Sequence, residues 1–200
     1  MKILLTSIID LKNSQHNRPH EFVKHLSKRH EITVLSIKDW WKAEQIQHGK
    51  HSDDIGRYLV NVDYQYLSLK RINPSLQEIL YLNKMNELVK NNYDVHLNYN
   101  SLLIGNQFSK RIRTLFDLAD DLVAMIKTSP QLPNVLRSYA AYFGNFLLMD
   151  TIKSANRVSV TTPALTKSYY IPEEKLTVIP NGVDTSLFMD RGDAKKDLGF

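Results

Sequence analysis

The chain has 200 residues, 42% hydrophobic and 24% charged, a composition that builds a core and excludes a disordered chain. It contains no cysteine, which excludes a disulfide framework, a thiolate zinc site, an iron–sulfur cluster and a cysteine nucleophile. Lys and Arg number 26 against 21 Asp and Glu, a net charge of +5; this mild excess alone does not argue for a nucleic-acid partner.

In chain order, Lys2–Ile9 is almost continuous apolar sequence and reads as a strand buried on both faces. The run stops at Asp10 without a small-residue cleavage site, so it is not read as a signal peptide. A polar loop comes next, and Asn17, Pro19 and Glu21 make the cap and first turn of a helix with Phe22, Val23 and Leu26 as its apolar stripe. Glu31–Ser36 reads as the second strand, which makes a βαβ opening and favours a parallel sheet with right-handed crossovers. Residues 40–56 are polar and read as an irregular insertion, and Tyr58–Leu67 as a third strand.

After Pro74, the residues Leu76, Ile79, Leu80, Met85, Leu88 and Val89 repeat at helical spacing. Asp94–Asn98 is a short strand, Leu102–Arg111 a helix, and Arg113–Phe116 a strand that runs into Asp117, Asp120 and Asp121. Leu132, Val135, Leu136, Tyr139, Phe143, Phe146 and Leu147 give a long amphipathic helix. Arg157–Thr161 and Leu176–Ile179 complete the strands. The expected fold is a doubly wound, mostly parallel α/β sheet of Rossmann-like type over residues 1–188, with a charged tail at 189–200. The apolar stretch 140–149 contains Asn145 and falls short of the ~20 residues a membrane span needs, so a soluble, cytoplasmic protein is expected.

The glycines sit at 49, 56, 105, 144, 182, 192 and 199. A phosphate-binding P-loop and a dinucleotide fingerprint both need glycines packed closer than this, so neither is present. His20 and His25 are five apart, on different helix faces, unlike the zincin pair four apart; they read as ordinary histidines and no metal is expected. Ligands of open α/β sheets bind beyond the carboxyl ends of strands, and three segments fall there. These are Asn13-Ser14-Gln15-His16-Asn17, Asn98-Tyr99-Asn100, and Asp117-Leu118-Ala119-Asp120-Asp121. Three carboxylates in five residues repel one another unless they meet hydroxyls, cations or water. Asp117 as a helix cap with two solvated neighbours, and a hydroxyl-binding cluster, are equally compatible with the spacing. The asparagines read more simply as structural. At 175–188, a strand is stopped by Pro180, Asn181-Gly182 supplies the positive φ of a tight turn, and Phe188 anchors the turn that Asp184 caps.

That last stretch, Val178-Ile179-Pro180-Asn181-Gly182-Val183-Asp184 with Phe188 four residues on, resembles the interdomain signature of the retaining, nucleotide-sugar-dependent glycosyltransferases of family four, which have the two-domain GT-B fold. Ser154-Ala155-Asn156-Arg157-Val158 with Thr161-Thr162 is similar to the family's strand before that signature, and Ile171-Pro172-Glu173-Glu174-Lys175 to its lead-in. Leu26 to Val34 resembles the first crossover, and Phe116-Asp117 through Asp121 a family variant with an Asp-rich loop. Two departures stand out. Ser14-Gln15-His16-Asn17 replaces the usual Gly-Gly pair, and the sequence stops where the second domain would begin.

The resemblance implies an N-terminal, acceptor-side half of a glycosyltransferase, inactive alone, with 189–200 leading to a C-terminal donor-binding domain. It implies His16, Asp117, Asp120 and Asp121 at the reaction centre, with the aspartates on sugar hydroxyls. Ser14, Gln15 and Asn17 would face the donor, Asn98, Asn100 and Thr162 the acceptor, and Asn181, Gly182 and Asp184 the second domain. The implied partners are a nucleotide-sugar co-substrate and a sugar or lipid-linked acceptor, with no tightly bound cofactor. Lys110-Arg111-Ile112-Arg113 beside Phe108 reads either as a solvated helix end or as a peripheral contact with an anionic membrane. The rival reading is a stand-alone, non-catalytic small-molecule or sugar-binding module.

Overall fold

The structure, a computed structural model, describes residues 1–14, 16–39, 59, 62–72, 74–82, 85, 88, 91–129 and 132–182. Seven strands form one sheet: β1 (Lys2–Ser7), β2 (Glu31–Ser36), β3 (Asp63–Tyr66), β4 (Val95–Tyr99), β5 (Thr114–Leu118), β6 (Arg157–Val160) and β7 (Leu176–Val178). The spatial order is β3-β2-β1-β4-β5-β6-β7, and every pairing is parallel. The chain winds outward from β1 in one direction and from β4 in the other. The direction therefore reverses between β1 and β4, where Ser7 is level with Tyr99 at the carboxyl edge.

The described helices are α1 (Arg18–Leu26), α2 (Pro74–Tyr81), α3 (Leu103–Ser109), α4 (Leu122–Thr128), α5 (Asn134–Ser154) and α6 (Ala164–Ser168). Alternation along β1 sends Ile3 and Leu5 to one face, against Val23 of α1, and Leu4 to the other, against Ile104 and Phe108 of α3. That double burial is why the strand lacks a polar face. A third cluster joins Phe116, Leu118, Val158 and Val160 to Leu148 and Ile152 of α5. No described helix is long and apolar enough to cross a membrane.

Two helices turn a different face inward from the one the large apolar residues marked. In α2, Leu76, Ile79 and Leu80 are exposed, while Gln77 and Glu78 are buried. Both buried groups cap backbone: Gln77 accepts from Lys38 N and donates to the carbonyls of Lys38 and Ile72, and Glu78 accepts from Leu103 N at the start of α3. In α5, only Leu147 of the stripe expected to be buried is in the core. The inner face is Ala141, Gly144, Leu147, Leu148, Thr151 and Ile152. Small residues define it because α4 approaches closely; a Cβ on Gly144 would stand 2.6 Å from Ile126 Cδ1. The insertion at 40–56, Tyr58, Val89 and the boundary at residue 188 lie outside the described residues.

Candidate functional site

The loop after β1 folds around Asp10, which is buried although it lies at the carboxyl edge. Its carboxylate accepts from the backbone N–H of Lys12 and Asp39, from Asn13 Nδ2 and from the phenols of Tyr64 and Tyr66. One carboxylate thus ties the ends of β1, β2 and β3 together. Tyr64 and Tyr66 share a face of β3 and meet edge to face at 5.2 Å. Burial first, then the Asp10 charge, raises both phenol pKa values above the usual range, so both stay protonated donors. Lys12 Nζ lies 4.5 Å from the Tyr64 ring centre, and Lys38 Nζ 5.2 Å from that of Tyr66.

Helix α1 begins as expected at Asn17, with a capping box whose N3 member is His20. Asn17 N–H donates to His20 Nδ1 at 3.1 Å, and His20 Nε2 donates to the Leu11 carbonyl at 2.7 Å. A carbonyl only accepts, so Nε2 carries a proton, while Nδ1 meets both the Asn17 N–H and, at 2.8 Å, the Asn17 side-chain amide. Desolvation pushes the His20 pKa down. His16 is exposed, stacks on His20 at 5.3 Å and pairs with Glu21 Oε1 at 2.5 Å. Burial alone would raise the Glu21 carboxyl; His16, Lys24 and His25 outweigh it and hold it below the usual range. Ser14 is buried and its hydroxyl has no partner among the described residues, whereas Gln15 lies outside them.

Arg18, the first residue of α1, reaches across the sheet to β5. Its Nε and Nη2 meet the two carboxylate oxygens of Asp117 at 2.6 and 2.9 Å. Its Nη1 donates to the carbonyls of Ile179 and Pro180 at 2.9 and 3.4 Å. Ser159 of β6 adds a hydroxyl on Asp117 Oδ1 at 2.5 Å. Asp117 is 0% exposed. The acidic cluster is therefore split three ways, with Asp117 paired in the interior. Asp121 caps α4 by accepting from Ala124 N and also takes the Tyr169 hydroxyl. Asp120 alone is exposed, held by Asn100 Nδ2 at 2.9 Å.

Asn100 has φ 55°, the left-handed conformation that asparagine tolerates. That turn points its amide at Asp120 and at Ala119 N, joining the loops after β4 and β5. Asn98 is fully buried and engages Ser101 N, Ser101 O and Thr6 Oγ1; a Cβ on Gly105 would come within 2.3 Å of its amide. Thr162 is exposed and accepts from Ala164 N at 3.3 Å. Asn181 and Gly182 are exposed, and Asp184 lies outside the described residues. The positive φ expected at Asn181-Gly182 is not found; among described non-glycine residues it occurs at Asn92 and Asn100, and Gly182 is not in that region either. The reason is topological: β7 runs parallel to β6, so the chain leaves the sheet instead of turning back along it.

At the expected basic patch, Phe108 is buried against His96, so the apolar neighbour is absent from the surface, while Lys110 is exposed and pairs with Asp150 at 2.5 Å. Among the described residues, no three histidine, aspartate or glutamate side chains are grouped to hold a metal ion. Sequence reasoning missed Arg18, Asp10 and the tyrosine pair. A cation in the first turn faces the wrong end of the helix dipole, a signal that Arg18 has a specific partner. Tyr64 and Tyr66, two apart on a strand, share one face.

No family model matches the chain, and no curated protein sequence matches it. Solved structures do. Sucrose-phosphate synthase from Thermosynechococcus elongatus aligns over the whole chain and 52% of its own, with TM-score 0.61 and 15% identity. Anabaena HepE in complex with UDP-glucose aligns over the whole chain and 50% of its own, with TM-score 0.56 and 18% identity. HepE with UDP and glucose gives 0.55 and 16%. The chain spans about half the length of these structures. At such identities the likeness establishes the fold: an all-parallel, Rossmann-like sheet matching one half of a GT-B glycosyltransferase.

Proposed function

We propose that this chain is the acceptor-side half of a retaining glycosyltransferase that moves a sugar from a nucleotide-sugar to an acceptor hydroxyl. The observation that carries the reading is where the stretch resembling an interdomain signature sits. Ile179 and Pro180 leave the sheet at its carboxyl edge, and Arg18 ties their carbonyls to Asp117 at the end of β5. A second domain entered from that point would cover the crevice where the strand order reverses, the usual ligand position in open α/β sheets. HepE was solved with UDP-glucose, a donor of the proposed kind.

In this reading, Asp120 and Asn100 receive acceptor hydroxyls, because a carboxylate accepts and an amide both donates and accepts. His16 and Glu21 stand at the exposed start of α1, on the donor side, with Asn17. Asp117 and Asp121 position rather than touch substrate: one holds Arg18, the other the start of α4. The donor diphosphate would be stabilised by cations of the other half, which favours the leaving group electrostatically. The expected locale is the cytoplasm. The test is a transfer assay on the whole protein with nucleotide-sugars and sugar acceptors, comparing Asp120→Asn with the parent. Transfer that is indifferent to Asp120 refutes the acceptor assignment, and no transfer with any nucleotide-sugar refutes the function.

A further inference from the structure

We infer that the outer face of α5 is a self-association surface, on which a second copy of this chain docks through an antiparallel helix pair. Val135, Leu136, Tyr139, Tyr142, Phe143 and Phe146 are 52 to 81% exposed, on the side of the helix opposite its core face. Val135, Tyr139, Tyr142, Phe146 and Met149 succeed one another at spacings of four, three, four and three. That alternation is the seam of a helix that packs along another helix. Apart from Met149, which is half-buried against the core, this seam does not serve the fold, whose contact runs along Ala141, Gly144, Leu148 and Ile152 instead.

The size of the face decides for an interface. With whole aromatic side chains at ~150–250 Å² each, the exposed fractions of the four aromatic residues give about 400–670 Å², to which Val135 and Leu136 add. A monomer's largest apolar patch is typically about 300–600 Å², and a stable pairing buries about 800 Å² per partner. Tyrosine and phenylalanine are the residues enriched at the centres of such interfaces.

The chemistry of the stripe favours a second copy. A two-fold axis near Tyr142 sets Tyr142 against itself, Tyr139 against Phe146 and Val135 against Met149. From 134 to 149 the helix carries one charged residue, Arg137, which turns inward to the Leu132 carbonyl. Self-pairing therefore brings no like charges together, and the centre of the face offers no cation to an anionic bilayer. Beside Phe146 and Met149, a groove lined also by Ile152, Tyr170 and Pro172 continues the surface, and Asp150, Lys153 and Lys175 end the apolar face there.

The test is sedimentation equilibrium of the full chain across a concentration series, with Tyr142→Glu and Phe146→Glu each compared at equal circular dichroism and thermal midpoint. The parent is expected to dimerise, and each variant to weaken the dimer at least about hundredfold, ~2.7 kcal/mol. Because the chain has no native cysteine, Tyr142→Cys should form a disulfide dimer on oxidation, whereas Met125→Cys, off the seam on α4, should not. A parent that stays monomeric at about 100 µM, a concentration that saturates any micromolar dimer, overturns the proposal. So does a dimer untouched by both variants, or a monomer that binds anionic vesicles through the same residues.

Discussion

Arg18 and Asp117 are 99 positions apart in the chain, yet their side chains form a two-pronged pair that is 9% and 0% exposed. The pair joins the start of α1 to the end of β5 by charge. It also carries the exit of the chain from β7, through the Ile179 and Pro180 carbonyls. Buried ion pairs return little net energy when intact, but removing one partner strands the other in a medium that solvates it poorly.

Asp117→Asn is therefore expected to destabilise the protein by about 3 kcal/mol, because Arg18 stays charged while its partner becomes neutral. For a chain of this size that lowers the thermal midpoint by about 6–12 °C. Ser159→Ala removes one hydroxyl donor from the same carboxylate and should cost only about 1–2 kcal/mol. Calorimetric unfolding of the two variants measures both. Equal, small effects would mean that the pair is not held as described.

The sheet was legible because strands buried on both faces leave a continuous apolar record; β1, β2 and β6 lie within one or two residues of where composition put them. The cap at Asn17 was legible for a local reason, since capping chemistry is short-range. The core faces of α2 and α5 were not. Periodicity counts large apolar residues, and in both helices part of the interior is small or polar, such as Gly144, Thr151, Gln77 and Glu78, while several large apolar residues stand outside. The acidic triplet was visible as composition, but its division depended on partners 20 to 99 residues away: Asn100, Tyr169, Ser159 and Arg18. No local pattern encodes those distances.

His96 lies under the switch point in the centre of the sheet, wholly enclosed, between Thr6 Oγ1 at 2.8 Å and Thr114 Oγ1 at 3.0 Å. Thr114 gives its proton to the Ile112 carbonyl, so it accepts from His96 Nδ1. Burial pushes the imidazole down to about 3 from 6.5. A depressed histidine is neutral in the fold and charged in the unfolded chain below 6.5, so the unfolded state binds more protons there. Its contribution is fully present above pH 6.5 and is lost as pH falls toward 3. Between pH 7 and pH 5, His96 should account for about 2 kcal/mol of lost stability. Glu78, raised by burial, works in the opposite sense above its ordinary value, which is why the measurement must be a difference. Urea midpoints at the two pH values, for parent and His96→Gln, give it. A variant with the same pH slope as the parent would show that His96 is not the group responsible.

The two outer aspartates should separate by function. Asp120 is exposed and held through Asn100, whereas Asp121 holds α4 and Tyr169. Asp120→Asn is expected to lower transfer by at least about tenfold, near 1.4 kcal/mol of transition-state stabilisation, with an unchanged thermal midpoint. Asp121→Asn should instead cost about 1 kcal/mol of stability through the weakened cap. Paired kinetics and melting curves read the two effects separately. A melting defect at Asp120 with normal turnover would reverse the assignment.

The proposed distribution of labour between two halves makes the most direct prediction. Among the described residues there is no glycine-rich loop beside a strand end and no grouped carboxylate and histidine set for a metal. Two cations at the carboxyl edge are already engaged: Arg18 by Asp117 and two carbonyls, and Lys12 by the Tyr64 and Tyr66 rings. A diphosphate needs several fixed donors to bind tightly, and this edge offers few. Residues 1–200 alone should therefore fold, since their three apolar clusters cover both sheet faces. They should bind nucleotide-sugars no better than about millimolar, near −4 kcal/mol. They should transfer no sugar without the other half. Titration calorimetry with UDP-glucose, paired with an assay for released UDP, tests both statements. Micromolar binding by this chain would put the donor site on the wrong side of the cleft, and the roles of Asp120 and Asn100 would have to be redrawn around it.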